Sequence, residues 1–362
     1  MRLKIFLKSP IYYHVPIYED LGLKSPDLDF CVYYWSRAGI DPYVDKELPN
    51  VRRTWITEKD LKHPHRFLPS INLSKFDNGF LPRISPHLWI KVLLSSQNDI
   101  LFLQGLSNFD EIVSLMVSKL NRSKVVLRGE GVPSSSSWIK IIFKKWLIRH
   151  VSILCFSTQK NKEYWENHMS ADAYLLPYPS VSFIDKQPNN LTRKKQIVVA
   201  SRFTPRKNIE KIIDLYYENF VDDYTLIMCG DGDPAYLQTL REKLDDLDLD
   251  ERVHFTGFID HTKVIDIFLE SEIYINLSYH DPSPKALNEA LACGLRCIIS
   301  NLVGTADDLR DRNDVYVYNI DEKIVESGAI TDFVNLPFNE NLVKPMPTRE
   351  QCVETLCEIC SD

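Results

Sequence analysis

Between residues 196 and 300 short apolar runs of strand length alternate with stretches of helical period, and nothing else in the sequence constrains the fold as strongly. The runs cover 196–200, 224–229, 253–256, 273–277 and 296–300, and helical spacing marks 212–216, 235–244, 263–269 and 284–293 between them. Alternation at this spacing means βαβ units and a parallel sheet, so this half is α/β. The first half follows the same grammar more faintly. Strand candidates lie at 3–7, 30–34, 100–103, 125–127 and 153–156, with helical patterns at 109–120 and 138–148. A chain of 362 residues exceeds what one hydrophobic core usually holds. The polar, unpatterned stretch 187–195, rich in Pro, Asn, Lys and Arg, fits a linker between two such layers. Two parallel sheets then face each other across a cleft, and ligands of such sheets bind outside the carboxyl ends of the strands.

Residues 1–186 hold 25 Lys and Arg against 18 Asp and Glu, a charge of +7, and the remainder holds 18 against 32, a charge of −14. A basic half suits an anionic partner or surface. Nucleic acid is disfavoured, because no long Lys/Arg run and no nucleic-acid motif accompanies that charge. Every long apolar run is interrupted by Lys, Arg or Ser, so no stretch of about 18 to 20 residues is ready to span a bilayer. The apolar core of the opening segment is too short for a secretory signal, and a cytoplasmic protein is expected. Most of the eight Cys sit in apolar runs that suit core packing, and Cys352, Cys357 and Cys360, which reproduce part of an iron–sulfur spacing without a fourth ligand nearby, are expected to be structural.

Three loops at strand carboxyl ends carry candidate chemistry. In the segment from Tyr279 to Gly294, Ser283 suits an N-cap, Pro284 the first helical position and Gly294 the stop. Free amides of Lys285 and Ala286, added to the helix dipole, make an anion site there. Lys285 and Glu289 share a helix face, so Asp281 and Glu289 flank one ligand; the alternative is a capped surface helix with a solvated salt pair. In the segment from Ser201 to Asn208, Arg202 as a planar fork and Lys207 as a point charge can converge on a diphosphate. Gly230-Asp231-Gly232 is the third loop, where small residues let backbone approach a ligand.

In this order and spacing the segment from about Ile197 to Leu309 resembles the nucleotide-sugar half of retaining GT-B glycosyltransferases of family 4, the group 1 type. The matches are Ser201-Arg202 with Lys207, the Gly230-Asp231-Gly232 turn, Phe255-Thr-Gly257-Phe258, and Asp281 with Glu289 eight residues on. The resemblance implies that Arg202 and Lys207 hold the donor diphosphate, that Glu289 accepts from the ribose hydroxyls, and that backbone near Phe258 meets the base. Asp281 stands where the family places a Glu near the donor sugar. The implied fold has two Rossmann-like domains, 1–186 on the acceptor side and 187–343 on the donor side, with a helix in 344–362 crossing back to the first.

Acceptor-side elements match more loosely. They include Tyr13 and His14 after the first strand, Arg128-Gly129-Glu130, Asn161 and the Pro177-Tyr-Pro179 turn, with Ser9-Pro10 where many relatives carry a Gly-rich loop. His14 reads equally as a structural and as a catalytic histidine. Tyr12, Tyr33, Tyr34 and Trp35 suit a sugar-stacking surface or, more simply, the core. On a helical wheel residues 138–149 set Lys140, Lys144, Lys145 and Arg149 against Ile139, Ile142, Phe143, Trp146 and Leu147, which fits either a packed helix or one lying on an anionic membrane.

The implied reaction is transfer of a sugar from a nucleoside diphosphate to a glycan or lipid-linked acceptor, with retention of configuration. Arg202, Lys207, Asp281 and His14 are the candidate catalytic residues, and no metal or cofactor is expected because no ligand cluster is apparent. A sugar-nucleotide epimerase or phosphorylase, and a catalytically silent partner of glycan assembly, are the rival readings. A Rossmann dehydrogenase is not favoured, since no Gly-x-Gly-x-x-Gly follows either first strand.

Overall fold

The computed structural model of the chain describes residues 2–45, 48–54, 56–76, 79–129, 138–149, 151–167, 171–176, 193–321, 328–336 and 347–361. It divides into two compact units, Met1–Tyr178 with Thr348–Asp362, and Pro179–Pro347. The division falls eight residues before the expected boundary at 186.

In unit 1 the strands are β1 (Arg2–Leu7), β2 (Phe30–Tyr34), β3 (Tyr43–Asp45), β4 (Leu48–Arg53), β5 (His65–Phe67), β6 (Ile71–Asn72), β7 (Arg83–Ile84), β8 (Asp99–Gln104), β9 (Lys124–Gly129), β10 (Ile153–Phe156) and β11 (Asp172–Leu175). Its helices are α1 (Val15–Lys24), α2 (Pro86–Leu93), α3 (Phe109–Ser118), α4 (Trp138–Ile148), α5 (Gln159–Glu166) and, from the far end of the chain, α12 (Arg349–Ser361). Seven strands form a parallel sheet in the order β11-β10-β9-β8-β1-β2-β5. Its central strands are mostly apolar because helices cover both faces, and the charged Lys4 and Asp99 among them pair with each other. One face takes α1 and α12 through Ile17, Leu21, Val353, Leu356 and Ile359. The other takes α2 to α5 through Leu88, Val92, Leu115, Leu147 and Trp165. Ion pairs Lys24–Glu350 (2.5 Å) and Arg349–Asp20 (2.5 Å) line the seam between α1 and α12.

Tyr33, Tyr34 and Trp35 are all buried, so they serve the core and not a sugar platform. In α4, Leu147 and Ile148 are buried while Ile142, Phe143 and Trp146 remain exposed, which splits the apolar half expected from the wheel. Side chains of Lys140 and Lys144, the whole of Glu130, and Pro177 to Pro179 lie outside the described residues.

Unit 2 holds β12 (Lys194–Ala200), α6 (Ile209–Asn219), β13 (Thr225–Cys229), α7 (Pro234–Asp246), β14 (Val253–Gly257), α8 (His261–Glu270), β15 (Ser271–Asn276), α9 (Lys285–Ala292), β16 (Arg296–Ser300), α10 (Ala306–Leu309), β17 (Val315–Tyr318) and α11 (Ala329–Asn335). Six parallel strands run in the order β14-β13-β12-β15-β16-β17. Helices α6, α7 and α11 pack on one face, and α8, α9 and α10 on the other.

Both sheets reverse their direction of growth once. In unit 2 the chain builds outward from β12 through β13 and β14, then returns beside β12 with β15 and builds the other way. In unit 1 the corresponding neighbours are β1 and β8. The crevice outside the carboxyl ends at such a switch point is where open α/β sheets bind ligands. Two places are therefore singled out by topology alone: the loops after β12 and β15, and the loops after β1 and β8.

Candidate functional site

At the unit 2 switch point the loops are locked backbone on backbone. Ser201 N donates to Cys229 O at 3.0 Å and Phe203 N to Asp231 O at 2.8 Å. A Cβ on Gly230 would stand 1.8 Å from Ser201 O, and one on Gly232 would stand 2.5 Å from Phe203 O. Gly230 also has φ +146°, so glycine is required twice over. Across the switch point Tyr279 N donates to Arg206 O (2.9 Å) and Asn208 Nδ2 to Leu277 O (3.2 Å). Arg206 Nη1 donates to His280 O at 2.7 Å. Gly304 N donates to Asp281 O at 2.8 Å, which ties the loop after β16 to the same edge.

This zipper brings Arg202, Lys207, Gly230, Asp231 and Asp281 to one edge of the sheet, together with Ser283, Pro284, Lys285 and Ala286 at the start of α9. Lys207 Nζ is ion-paired with Asp281 Oδ2, and both side chains are largely buried. The family resemblance puts these two residues separately on diphosphate and sugar; the fold joins them. Phe258, just past β14, is 49% exposed.

Helix α9 begins at Lys285, with Pro284 as its N-cap in an extended conformation and no side-chain cap. The expected cap, Ser283, stands one residue too early. Proline has no amide proton and a fixed φ, so it ends the extended approach itself. The amides of a helix's first turn point along its axis away from the helix, which is the anion-binding geometry of a helix start. Burial pushes the Lys285 ammonium well below its ordinary value, with the Glu289 carboxylate opposing that shift.

Glu289 is 4% exposed on the next turn of α9. Its Oε1 accepts from His261 Nε2 at 2.9 Å. His261 is the first residue of α8, and no motif in the sequence marks it as a site residue. The available signal was a histidine opening a helix three residues after Phe258, but only the packing of α8 beside α9 selects it.

The unit 1 switch point gathers a second set. His14 is the N-cap residue of α1 and is 1% exposed. Gln104, the last residue of β8, donates Nε2 to His14 Nε2 at 3.4 Å. Tyr13 meets the His14 ring edge-on at 4.4 Å. Burial, then the charge of Arg128, lowers the His14 pKa well below the ordinary histidine value, so its imidazole is neutral. Arg128 is 3% exposed and donates Nη2 to Leu176 O at 2.7 Å. Asn161, buried in the first turn of α5, lies after the next strand over. Gln104 is likewise unmarked by any motif, although it is the first polar residue after the apolar run 100–103.

Among the described residues no group of three or more His, Cys, Asp or Glu is placed to hold a metal ion. Cys352 and Cys360 pack in the core of unit 1. No helix among those residues is long and apolar enough to cross a membrane.

Residues 181–335 match the family model described as Glycosyl transferases group 1. The chain carries a group 1 glycosyltransferase domain. This domain contains every candidate donor-side residue, from Arg202 to Glu289. Over 213 residues, 55% of this chain and 45% of the relative, the sequence is 26% identical to the GPI3 subunit of phosphatidylinositol N-acetylglucosaminyltransferase from Saccharomyces cerevisiae strain YJM789. Over 206 residues, 56% and 48% of the two chains, it is 25% identical to 2-deoxystreptamine N-acetyl-D-glucosaminyltransferase of Niallia circulans. The chain thus spans about half the length of these curated relatives. Among solved structures, Anabaena Alr3699/HepE in complex with UDP and glucose has a TM-score of 0.66 at 14% identity, covering 100% of both chains. The group 1 domain and the N-terminal unit together have the GT-B fold, two Rossmann-like α/β units.

Proposed function

We propose that the protein transfers a sugar from a nucleoside diphosphate donor to a glycan or lipid-linked acceptor, with retention of anomeric configuration. The observation that carries this reading is the Lys207–Asp281 pair at the unit 2 switch point, directly before the amino end of α9. Cation, carboxylate and helix start are what a glycosyl diphosphate needs: charge neutralisation for the diphosphate and an acceptor for sugar hydroxyls.

In this reading Arg202 and Lys207 hold the diphosphate, helped by the Lys285 and Ala286 amides. Gly230 and Asp231 let backbone approach it. Phe258 faces the base and Glu289 the ribose. Asp281, paired with Lys207, orients the transferred sugar. Negative charge grows on the leaving diphosphate as the glycosidic bond breaks, and two cations with helix amides oppose that growth, so the reading assigns no metal. The departing phosphate oxygen accepts the proton of the incoming hydroxyl on the same face. His14, being neutral, contributes a hydrogen bond and not a proton, while Tyr13, Arg128, Glu130 and Asn161 belong to the acceptor side.

Both named relatives are N-acetylglucosaminyltransferases, and the named solved neighbour was captured with UDP. UDP-N-acetylglucosamine is accordingly the first donor to try, and one relative is named for phosphatidylinositol, which supports a lipid-linked acceptor. The test is calorimetric titration with UDP, GDP and UMP, followed by product analysis with UDP-N-acetylglucosamine and a lipid extract. Diphosphate-dependent binding that Arg202→Ala with Lys207→Ala abolishes, and a glycosylated product, are expected. Acceptor-independent isomerisation of the donor, or an absolute need for phosphate, would replace the reading with epimerase or phosphorylase.

A further inference from the structure

Helices α2, α3 and α4 point Leu88, Val92, Leu115, Leu147 and Ile148 at the same face of the seven-stranded sheet, so their outer sides form one surface. That surface is apolar. Ile90 is 52% exposed, Leu94 76%, Leu120 73%, Ile142 58% and Trp146 47%. It is also continuous: Asn121 Nδ2 donates to Val92 O at 2.5 Å, tying the end of α3 to α2, and Lys119 Nζ stands 4.3 Å over the Trp146 ring of α4. Phe143 stacks on Trp146 with centroids 5.9 Å apart.

Its charge is of one sign. Between residues 86 and 149 the described carboxylates are Asp99, Asp110 and Glu111, and all three are buried. Asp99 pairs with Lys4 (2.6 Å), Asp110 accepts from Ser85 N (3.0 Å), and Glu111 accepts from Ser107 N (2.7 Å). Lys119 Nζ is buried against Trp146, while Lys91, Arg122, Lys145 and Arg149 are half-buried or exposed. Amphipathic cations of this kind keep their heads in water while their stems lie along apolar neighbours.

We infer that the outer face of α2, α3 and α4 docks unit 1 on the surface of a bilayer containing anionic lipid. Exposed aliphatic and indole groups enter the headgroup boundary, and the surrounding cations meet the negative surface potential. A second copy of the same face is a poor partner, because a self-complementary contact would set the cations of α2 to α4 against one another. The inference deepens the membrane-side part of the function proposed above, but binding to lipid requires neither donor nor acceptor.

Flotation of the full chain with vesicles tests it. With phosphatidylcholine vesicles containing about one third phosphatidylglycerol, the protein should co-float at low salt; with phosphatidylcholine alone, or at high salt, the bound fraction should fall at least about tenfold. Lys145→Glu with Arg149→Glu should lower anionic-vesicle binding by nearly three orders of magnitude, at about fivefold for each cation lost and each anion gained. Ile142→Ser with Trp146→Ser, and separately Leu94→Ser with Leu120→Ser, should each lower it about tenfold or more, with UDP binding and the thermal midpoint unchanged. No flotation, equal flotation on neutral vesicles, or retention by all three double variants would overturn the inference. So would a dimer in sedimentation that Trp146→Ser dissociates. Flotation without donor turnover leaves the surface standing and removes the transferase reading, and turnover without flotation does the reverse.

Discussion

Lys207 and Asp281, 74 positions apart, form an ion pair across the point where the C-terminal sheet reverses its growth. The pair lets Asp281 steer the lysine before a diphosphate arrives, and a bound diphosphate would share it afterwards. Removing the cation leaves a largely buried carboxylate beside the diphosphate, whereas neutralising the acid leaves the cation in place. Lys207→Ala should therefore lower turnover by about two to three orders of magnitude, and Asp281→Asn by less. Because the two share one interaction, Lys207→Ala with Asp281→Asn should cost less than the sum of the single changes, and steady-state kinetics of all four forms would show it. Strict additivity would mean that the pair has no part in the reaction.

His261 and Glu289 make the corresponding contact between α8 and α9. Glu289 has almost no exposed surface, so loss of the imidazole donor leaves a buried carboxylate oxygen unanswered. His261→Ala should weaken UDP binding by about tenfold, close to the cost of one charge-assisted hydrogen bond, and leave kcat within a fewfold. His261→Gln, which restores a donor, should recover part of the loss. Equal affinity of wild type and His261→Ala in titration calorimetry would show that Glu289 needs no help.

The donor half was legible because each of its parts is local: a strand, a basic loop, a small-residue turn and a helix start, each within about ten residues. Strands at 30–34, 153–156 and 296–300 and the helix at 138–148 have the bounds their apolar patterns indicate. What the sequence hid is non-local. Gln104 and His261 look ordinary until sheet order sets β8 beside β1 and packing sets α8 against α9. The Ser283 cap failed for a different reason. Two residues able to open a helix stood together, and the proline, whose φ is preset, took the boundary.

Gly230 and Gly257 provide a matched pair for stability. Both have φ in the left-handed range, +146° and +67°, but only Gly230 has a backbone oxygen where a Cβ would go. Gly257→Ala should cost about 1 kcal/mol from backbone strain alone. Gly230→Ala must also push the Ser201 and Cys229 loops apart, at about 3 kcal/mol or more. In scanning calorimetry the unit 2 transition should fall by roughly 6–12 °C for Gly230→Ala and 2–4 °C for Gly257→Ala. Equal shifts would mean that the loops after β12 and β13 are not in contact.

Burial pushes the His63 pKa down to about 4, with the nearby His65 acting in the same direction, and Tyr34 Oη hydrogen-bonds to its Nε2 at 3.0 Å. In the unfolded chain this imidazole titrates near 6.5. From about pH 6.5 down to 4 the unfolded state therefore binds a proton that the folded state refuses. Stability rises with pH in that window and is lost as pH falls through it, by up to about 3 kcal/mol from this residue. His14, also buried and neutral, acts in the same direction. All six Trp of the chain, at 35, 55, 89, 138, 146 and 165, belong to unit 1, so Trp fluorescence follows the unfolding of that unit and not of the donor half. Urea midpoints read by Trp fluorescence should drop between pH 6.5 and 4.5, and His63→Gln should flatten the drop while lowering the midpoint at pH 7. A profile of unchanged slope in His63→Gln would assign the acid sensitivity of unit 1 to other groups.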